Sequence, residues 1–156
     1  MEEGKTALFF LLVLFFFQHY ISSMNLEREI LKEHSKHQTV KIANWIGDNE
    51  TRFADLMKLF LTAEYQIVQR SAWIDSRCAE QHPDLTKPWL SKMVSRAGEK
   101  NVHDAVKRNV VRLLQFVDVP RALQGKVANL CFDFLQDLKA PIAVKAFSMT
   151  VLAKHC

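Results

Sequence analysis

The feature that most constrains the fold of this chain is a sequence pattern that repeats every 38 residues. Val68, Val106 and Val144 mark its three copies, and the same spacing of apolar residues surrounds each valine. Steps of one, four and three residues place these positions on one face of an α-helix. The four columns of equivalent positions are Ile67/Ala105/Ala143, Val68/Val106/Val144, Ala72/Val110/Ser148 and Asp75/Leu113/Val151. The pattern predicts three amphipathic helices, and Asp75 is the member that does not fit an apolar column.

A second pattern with nearly the same period precedes each of these helices. Three apolar quartets share the spacing i, i+3, i+4, i+7, and their first residues stand 37 positions apart: Phe53-Leu56-Met57-Phe60, Leu90-Met93-Val94-Ala97 and Val127-Leu130-Cys131-Phe134. Each quartet predicts a further helix, so first and second helices alternate along the chain. The linkers are only a few residues long, so paired helices must run antiparallel. Strand-like alternation is lacking, and Gly and Pro number only 4 each, which favours an all-α fold.

Polar side chains that can accept hydrogen bonds from the first turn of a helix predict where several helices begin. These expected N-cap residues are Asp48 or Asn49, Thr62 and Asn101. Ahead of the first pair, Leu26 to Ile46 carries a helical apolar pattern. That stretch is either one long helix or two short ones, and it forms an N-terminal helical cap on the array.

Paired helices of this length resemble the HEAT-type repeats of the armadillo-like superhelix. The resemblance rests on a Val-Lys step followed by a small residue one turn later, and it covers about residues 48–156. Gln69 and Val110 depart from that pattern. The resemblance implies an α-α superhelix of about three helix pairs within residues 24–156, with the second helices lining a concave face. It also implies a binding scaffold, since most members of the family bind proteins and a minority bind nucleic acid. Stacking is required because one pair cannot bury its own apolar stripe.

The second helices carry a polar ridge that is the candidate partner-binding surface. Its predicted members are Arg70, Trp73, Arg77, Lys107, Arg108, Arg112 and Lys145. Guanidinium groups pair readily with carboxylates and phosphates, so the ridge suits an acidic protein segment. The alternatives are a solvated polar face and a nucleic-acid surface. The net charge of +4 is mild, and Ala146, Thr150 and Ala153 replace the ridge in the third repeat. Nucleic acid is therefore the second choice. The C-terminal end of the array is a possible self-association surface.

Catalysis is not expected from this sequence. A subset of HEAT-like proteins are DNA glycosylases that use aromatic residues and an aspartate, and only Trp73 with Asp75 could serve that chemistry here. Two residues apart on a helix point in different directions, so we expect Asp75 to pair with a basic neighbour or to cap one. His34 and His37 have metal-ligand spacing but lack an evident third ligand. We expect no catalytic residue, no metal and no cofactor.

The first 23 residues stand apart from the repeat array. Ala7 to Phe17 is a run of 11 apolar residues, shorter than the about 20 that span a bilayer. The segment is an upstream extension before a true start at Met24, a signal peptide, or a structured or membrane-anchoring helix. Three cysteines without paired spacing argue against a disulfide framework and favour a cytoplasmic location. A genuine signal peptide would instead mean export. No stable membrane span is expected.

Overall fold

The computed structural model describes residues 25–155, and the regular elements in this part of the chain are all helices, without strands. The elements are α1 (Leu26–Lys32), α2 (Lys36–Ile46), α3 (Glu50–Thr62), α4 (Tyr65–Gln81), a 3-10 helix (Pro83–Trp89), α5 (Leu90–Ala97), α6 (Asp104–Leu113), α7 (Arg121–Gln136) and α8 (Ile142–His155). The all-α prediction is confirmed. None of the helices within residues 25–155 is long and apolar enough to cross a membrane.

The N-terminal helical cap consists of two short helices rather than one long one. Asn25 caps α1 by accepting a hydrogen bond from the Arg28 amide at 3.0 Å. Ser35 caps α2 in the same way, so the chain turns between the two helices. Gln38 then ties them together, because its side-chain amide donates to the Glu29 carbonyl oxygen at 2.8 Å.

The predicted N-cap residues are only partly right. Asn49 caps α3 by accepting from the Arg52 amide at 3.0 Å, as expected. Thr62 does not cap α4, since it ends α3 and its hydroxyl donates to the Lys58 carbonyl. Asn101 does not cap α6 either. It takes a left-handed backbone conformation in the preceding loop, with φ of 64°. The cap of α6 is His103, whose Nδ1 accepts the amide hydrogen of Ala105 at 3.0 Å.

The core lies between two layers of helices. First helices α3, α5 and α7 pack against second helices α4, α6 and α8, respectively. Within the second layer, α4 packs between α2 and α6, and α6 packs against α8. The three predicted quartets of the first helices are buried in full. The predicted columns of the second helices are buried as well, apart from the partly exposed Ala143. The repeat pattern thus identifies the surfaces that hold the layers together.

Candidate partner-binding surface

All seven predicted ridge residues are exposed or partly exposed on α4, α6 and α8. They stand outside the buried columns of these helices, and Lys107 lies near Phe134 on the first helix α7. We refer to this surface, formed by Arg70, Trp73, Arg77, Lys107, Arg108, Arg112 and Lys145, as the second-helix face. The contacts of the individual side chains divide it into three parts.

Arg70 and Trp73 hold the N-terminal helical cap against the first repeat. The Arg70 guanidinium donates hydrogen bonds to the carbonyl oxygens of Ile30 and Leu31, at 3.0 and 2.9 Å. Those carbonyls end α1, where backbone acceptors have no partner within the helix and favour a cation. Trp73 meets His34 edge to face, with ring centroids 5.8 Å apart. The Arg70 guanidinium therefore stabilises the fold and is less available to a partner.

Arg77 and Arg112 share one carboxylate, and together the three residues link α4 to α6. Arg112 Nη2 donates to Glu80 Oε1 at 2.7 Å, while Arg77 bonds the other oxygen of Glu80. Burial alone would raise the pKa of Glu80, but the hydrogen bonds and charges of Arg112 and Arg77 outweigh burial and lower that pKa. Glu80 therefore stays ionised and neutralises part of the basic ridge. Glu80 stands 32 residues before Arg112 and is not among the residues that the repeat pattern places on the ridge.

The remaining cations differ in how freely they can meet a partner. Lys107 Nζ lies 3.3 Å from an oxygen of Asp104 and 6.0 Å from the centroid of the Phe134 ring. Within residues 25–155, neither Arg108 nor Lys145 forms an ion pair. Arg108 is exposed on α6, and Lys145 is partly exposed on α8. These two side chains are the most available charges of the second-helix face.

Two side chains at the C-terminal end of α8 make contacts that the repeat pattern does not predict. Lys154 Nζ donates to the carbonyl oxygens of Gln115 and Val117, both at 3.1 Å. His155 Nε2 lies 3.2 Å from the Leu114 carbonyl oxygen. These groups satisfy backbone acceptors where α6 ends, as Arg70 does for α1. Basic side chains of a later helix thus cap the C-terminal end of an earlier one, at α1 and at α6.

Asp75 lies in the core, and the expectation that it pairs with a basic neighbour is wrong. Its side chain is 0% exposed, and neither carboxylate oxygen has a hydrogen-bond partner. Burial raises the pKa of Asp75 well above its usual range, because the charged form of the carboxyl loses its hydration. Burial and the nearby Asp75 also raise the pKa of the Cys78 thiol. Asp75 does not reach the second-helix face, where Trp73 lies.

Two shallow cavities in the described part of the chain are small. One of about 210 Å³ lies where α4 and α6 begin, and its lining includes Tyr65, Arg96 and His103. Another of about 300 Å³ lies between α5 and α7 and includes Lys126 and Asp133. Pockets for small-molecule ligands usually span about 300–1,000 Å³. Among residues 25–155, no group of three metal-ligating side chains stands together, and His34 contacts Trp73 instead.

Comparison with known proteins identifies the family to which the chain belongs. No curated protein and no solved structure matches the chain significantly. The family model described as the HEAT repeat domain, however, matches residues 26–156, which are nearly the whole of the array. Proteins built from these repeats are generally non-catalytic interaction scaffolds. The match and the stacked helix pairs agree, and the chain belongs to the HEAT repeat family.

Proposed function

We propose that this protein is a non-catalytic scaffold that binds an acidic segment of a partner protein on its second-helix face. The observation that carries the proposal is the excess of basic side chains on that face. Its six cations form ion pairs with only two carboxylates, Glu80 and Asp104, within the described residues. A partner carboxylate would gain charge-assisted hydrogen bonds from the exposed Arg108 guanidinium.

The distribution of charge favours a short acidic segment over an extended polyanion. Arg70 and Arg108 occupy equivalent positions in the first two repeats, and Ala146 takes that position in the third. The basic ridge therefore fades toward α8, whereas a protein that tracks a nucleic-acid backbone needs a continuous row of cations. Trp73 adds a partly exposed aromatic ring beside the ridge. Aromatic and arginine side chains dominate the binding energy of many protein interfaces.

Charge reversal at Arg108 tests the proposal. The probe is a fluorescein-labelled 12-residue peptide rich in Glu and Leu, with a Lys and Leu peptide of the same length for comparison. We expect the acidic peptide to bind and Arg108→Glu to weaken binding about tenfold, the equivalent of about 1.4 kcal/mol. Arg121→Glu is the matched control, because Arg121 is exposed at the start of α7 in the other layer. It should leave the affinity within about twofold of the original.

The same titration with a 20-base-pair DNA duplex separates the two classes of partner. Tight duplex binding that falls steeply between 50 and 200 mM salt would contradict the proposal and favour nucleic acid. Equal weakening by the Arg108 and Arg121 substitutions would also contradict it, because the attraction would then depend on net charge alone. A lysine-rich peptide that binds as well as the acidic one would have the same meaning.

A further inference from the structure

The third repeat exposes large apolar side chains at positions where the first two repeats do not. Ile142 is 86% exposed, whereas its equivalents one and two periods earlier are the polar residues Asp104 and Gln66. Phe132 on α7 is 51% exposed, and it takes the place of Ser95 in the preceding first helix. Contiguous patches of exposed apolar residues mark interaction surfaces.

One column shows how exposure changes along the array. Val111 on α6 and Met149 on α8 are equivalent positions, 38 residues apart. Val111 is 0% exposed, while Met149 is 57% exposed. In the array, α6 packs against α8, the next second helix. Trp73 is the remaining member of this column and Arg108 is the equivalent of Ala146, so Met149 and Ala146 continue the second-helix face onto α8 with apolar side chains.

The spacing of the exposed stripe on α8 fits a second copy of the same helix. Ile142, Ala146, Met149 and Ala153 are all exposed and follow one another at helical steps of four, three and four. An antiparallel α8 pair with its two-fold axis between positions 147 and 148 sets Ile142 opposite Ala153. It also sets Ala146 opposite Met149. Both pairings match a large side chain with a small one, and they require the same axis.

We propose that α8 is a homodimerisation surface, on which α8 of a second copy packs antiparallel along Ile142, Ala146, Met149 and Ala153. A two-fold contact uses the same patch on both molecules, so it closes without forming a filament. The same axis sets Lys145 opposite Thr150, so the lysines of the two copies do not face each other across it. Antiparallel helices also place opposite ends of their dipoles side by side.

The size of the contact sets the strength that we expect. A helix of 14 residues is about 21 Å long, so one helix pair buries less than the about 800 Å² per partner of a standard stable interface. We therefore expect a dimer that forms in the micromolar range and dissociates on dilution. The dimer and the acidic partner are tested separately, because the substitutions that test the dimer leave Arg108 unchanged.

The experiment is a charge exchange across the proposed axis, followed by sedimentation equilibrium of the full chain from 5 to 500 µM. The wild-type chain should move from the monomer toward the dimer mass over this range. Ala146→Glu and Met149→Lys, each alone, should weaken dimerisation at least tenfold, because each buries an unpaired charge. An equal mixture of the two variants should associate again, since the new carboxylate of one copy faces the new ammonium group of the other.

Tyr65→Lys is the control, since Tyr65 is 59% exposed, close to the 57% of Met149, but lies at the start of α4. It should dimerise as the wild-type chain does. A wild-type chain that stays monomeric at 500 µM would overturn the proposal. So would association that neither single variant weakens, because another surface would then be responsible. Circular dichroism of each variant establishes that the helices remain folded.

Discussion

Replacing Asp75 by valine should stabilise the protein, although it changes a fully buried position. The equivalent positions in the other two repeats hold Leu113 and Val151, and both are buried. A buried polar group without a hydrogen bond costs about 1–3 kcal/mol, and the one additional side-chain carbon of valine contributes about 0.8 kcal/mol. We expect Asp75→Val to raise the free energy of unfolding by about 2–4 kcal/mol near pH 4. For a chain of this size, the melting temperature should rise by about 6–12 °C.

The pH dependence of this gain is a sharper test than its size. The unfolded chain releases the Asp75 proton near pH 4, whereas the folded chain keeps it because burial raises the pKa of Asp75. Wild-type stability from this group is therefore fully present below about pH 4 and is lost as the pH rises toward the raised pKa. The difference in free energy of unfolding between Asp75→Val and the wild type should grow by up to about 1.4 kcal/mol per pH unit between pH 4 and the raised pKa.

Urea denaturation from pH 4 to pH 8 measures the gap, with Asp75→Asn as the control. Asparagine cannot ionise, so this variant should lose the pH dependence while it keeps an unsatisfied polar group. It should therefore be less stable than Asp75→Val at every pH. A stability gap that does not change with pH, or a valine variant less stable than the wild type, would refute the reasoning. The carboxyl would then have a partner or contact with water.

Three further substitutions test particular contacts. Arg70→Ala removes both hydrogen bonds to the end of α1 and should cost about 1.5–3 kcal/mol in urea denaturation, with faster amide exchange in α1 than in α7. Gly47→Ala should cost about 1–2 kcal/mol in the same assay, because φ is 53° there and a β-carbon disfavours that conformation. Glu80→Gln removes a carboxylate whose pKa is lowered in the fold. The wild type should exceed this variant in stability above about pH 5, and the difference should shrink as the pH falls through the lowered pKa. A difference that grows in acid would contradict the proposed role of Glu80.

The repeat pattern predicts the helices and their buried faces well, because burial follows helical periodicity directly. The quartet that begins at Phe53 and the column that begins at Val68 both lie in the core. The residues at which helices begin and end are harder to predict from the sequence. Thr62 has the chemistry of an N-cap, yet α3 runs through it and α4 begins only at Tyr65. The 3-10 helix before α5 went unpredicted because Pro88, which has no amide hydrogen, interrupts the α-helical pattern there.

The candidate site is less predictable than the fold, because its properties depend on contacts between distant residues. The sequence places Arg70 on the polar ridge, but only the fold brings its guanidinium to the carbonyls of α1, about 40 residues away. The partnership of Arg112 with Glu80 is likewise invisible in either helix alone. Arg108 could be identified from the sequence as a ridge member, but its lack of an ion pair among the described residues follows from the packing of its neighbours.

The central claim is that α4, α6 and α8 stack in register as successive second helices. Spin labels on cysteines introduced at Gln66 and Ile142 test it most directly, since these exposed positions are equivalent and two repeats apart. Cys156→Ser removes one reactive thiol, Cys78 and Cys131 are buried, and unlabelled protein in excess suppresses signals between molecules. Adjacent helices lie about 8–10 Å apart, so we predict a narrow distance distribution centred near 20 Å. A main population beyond about 35 Å would contradict the stack.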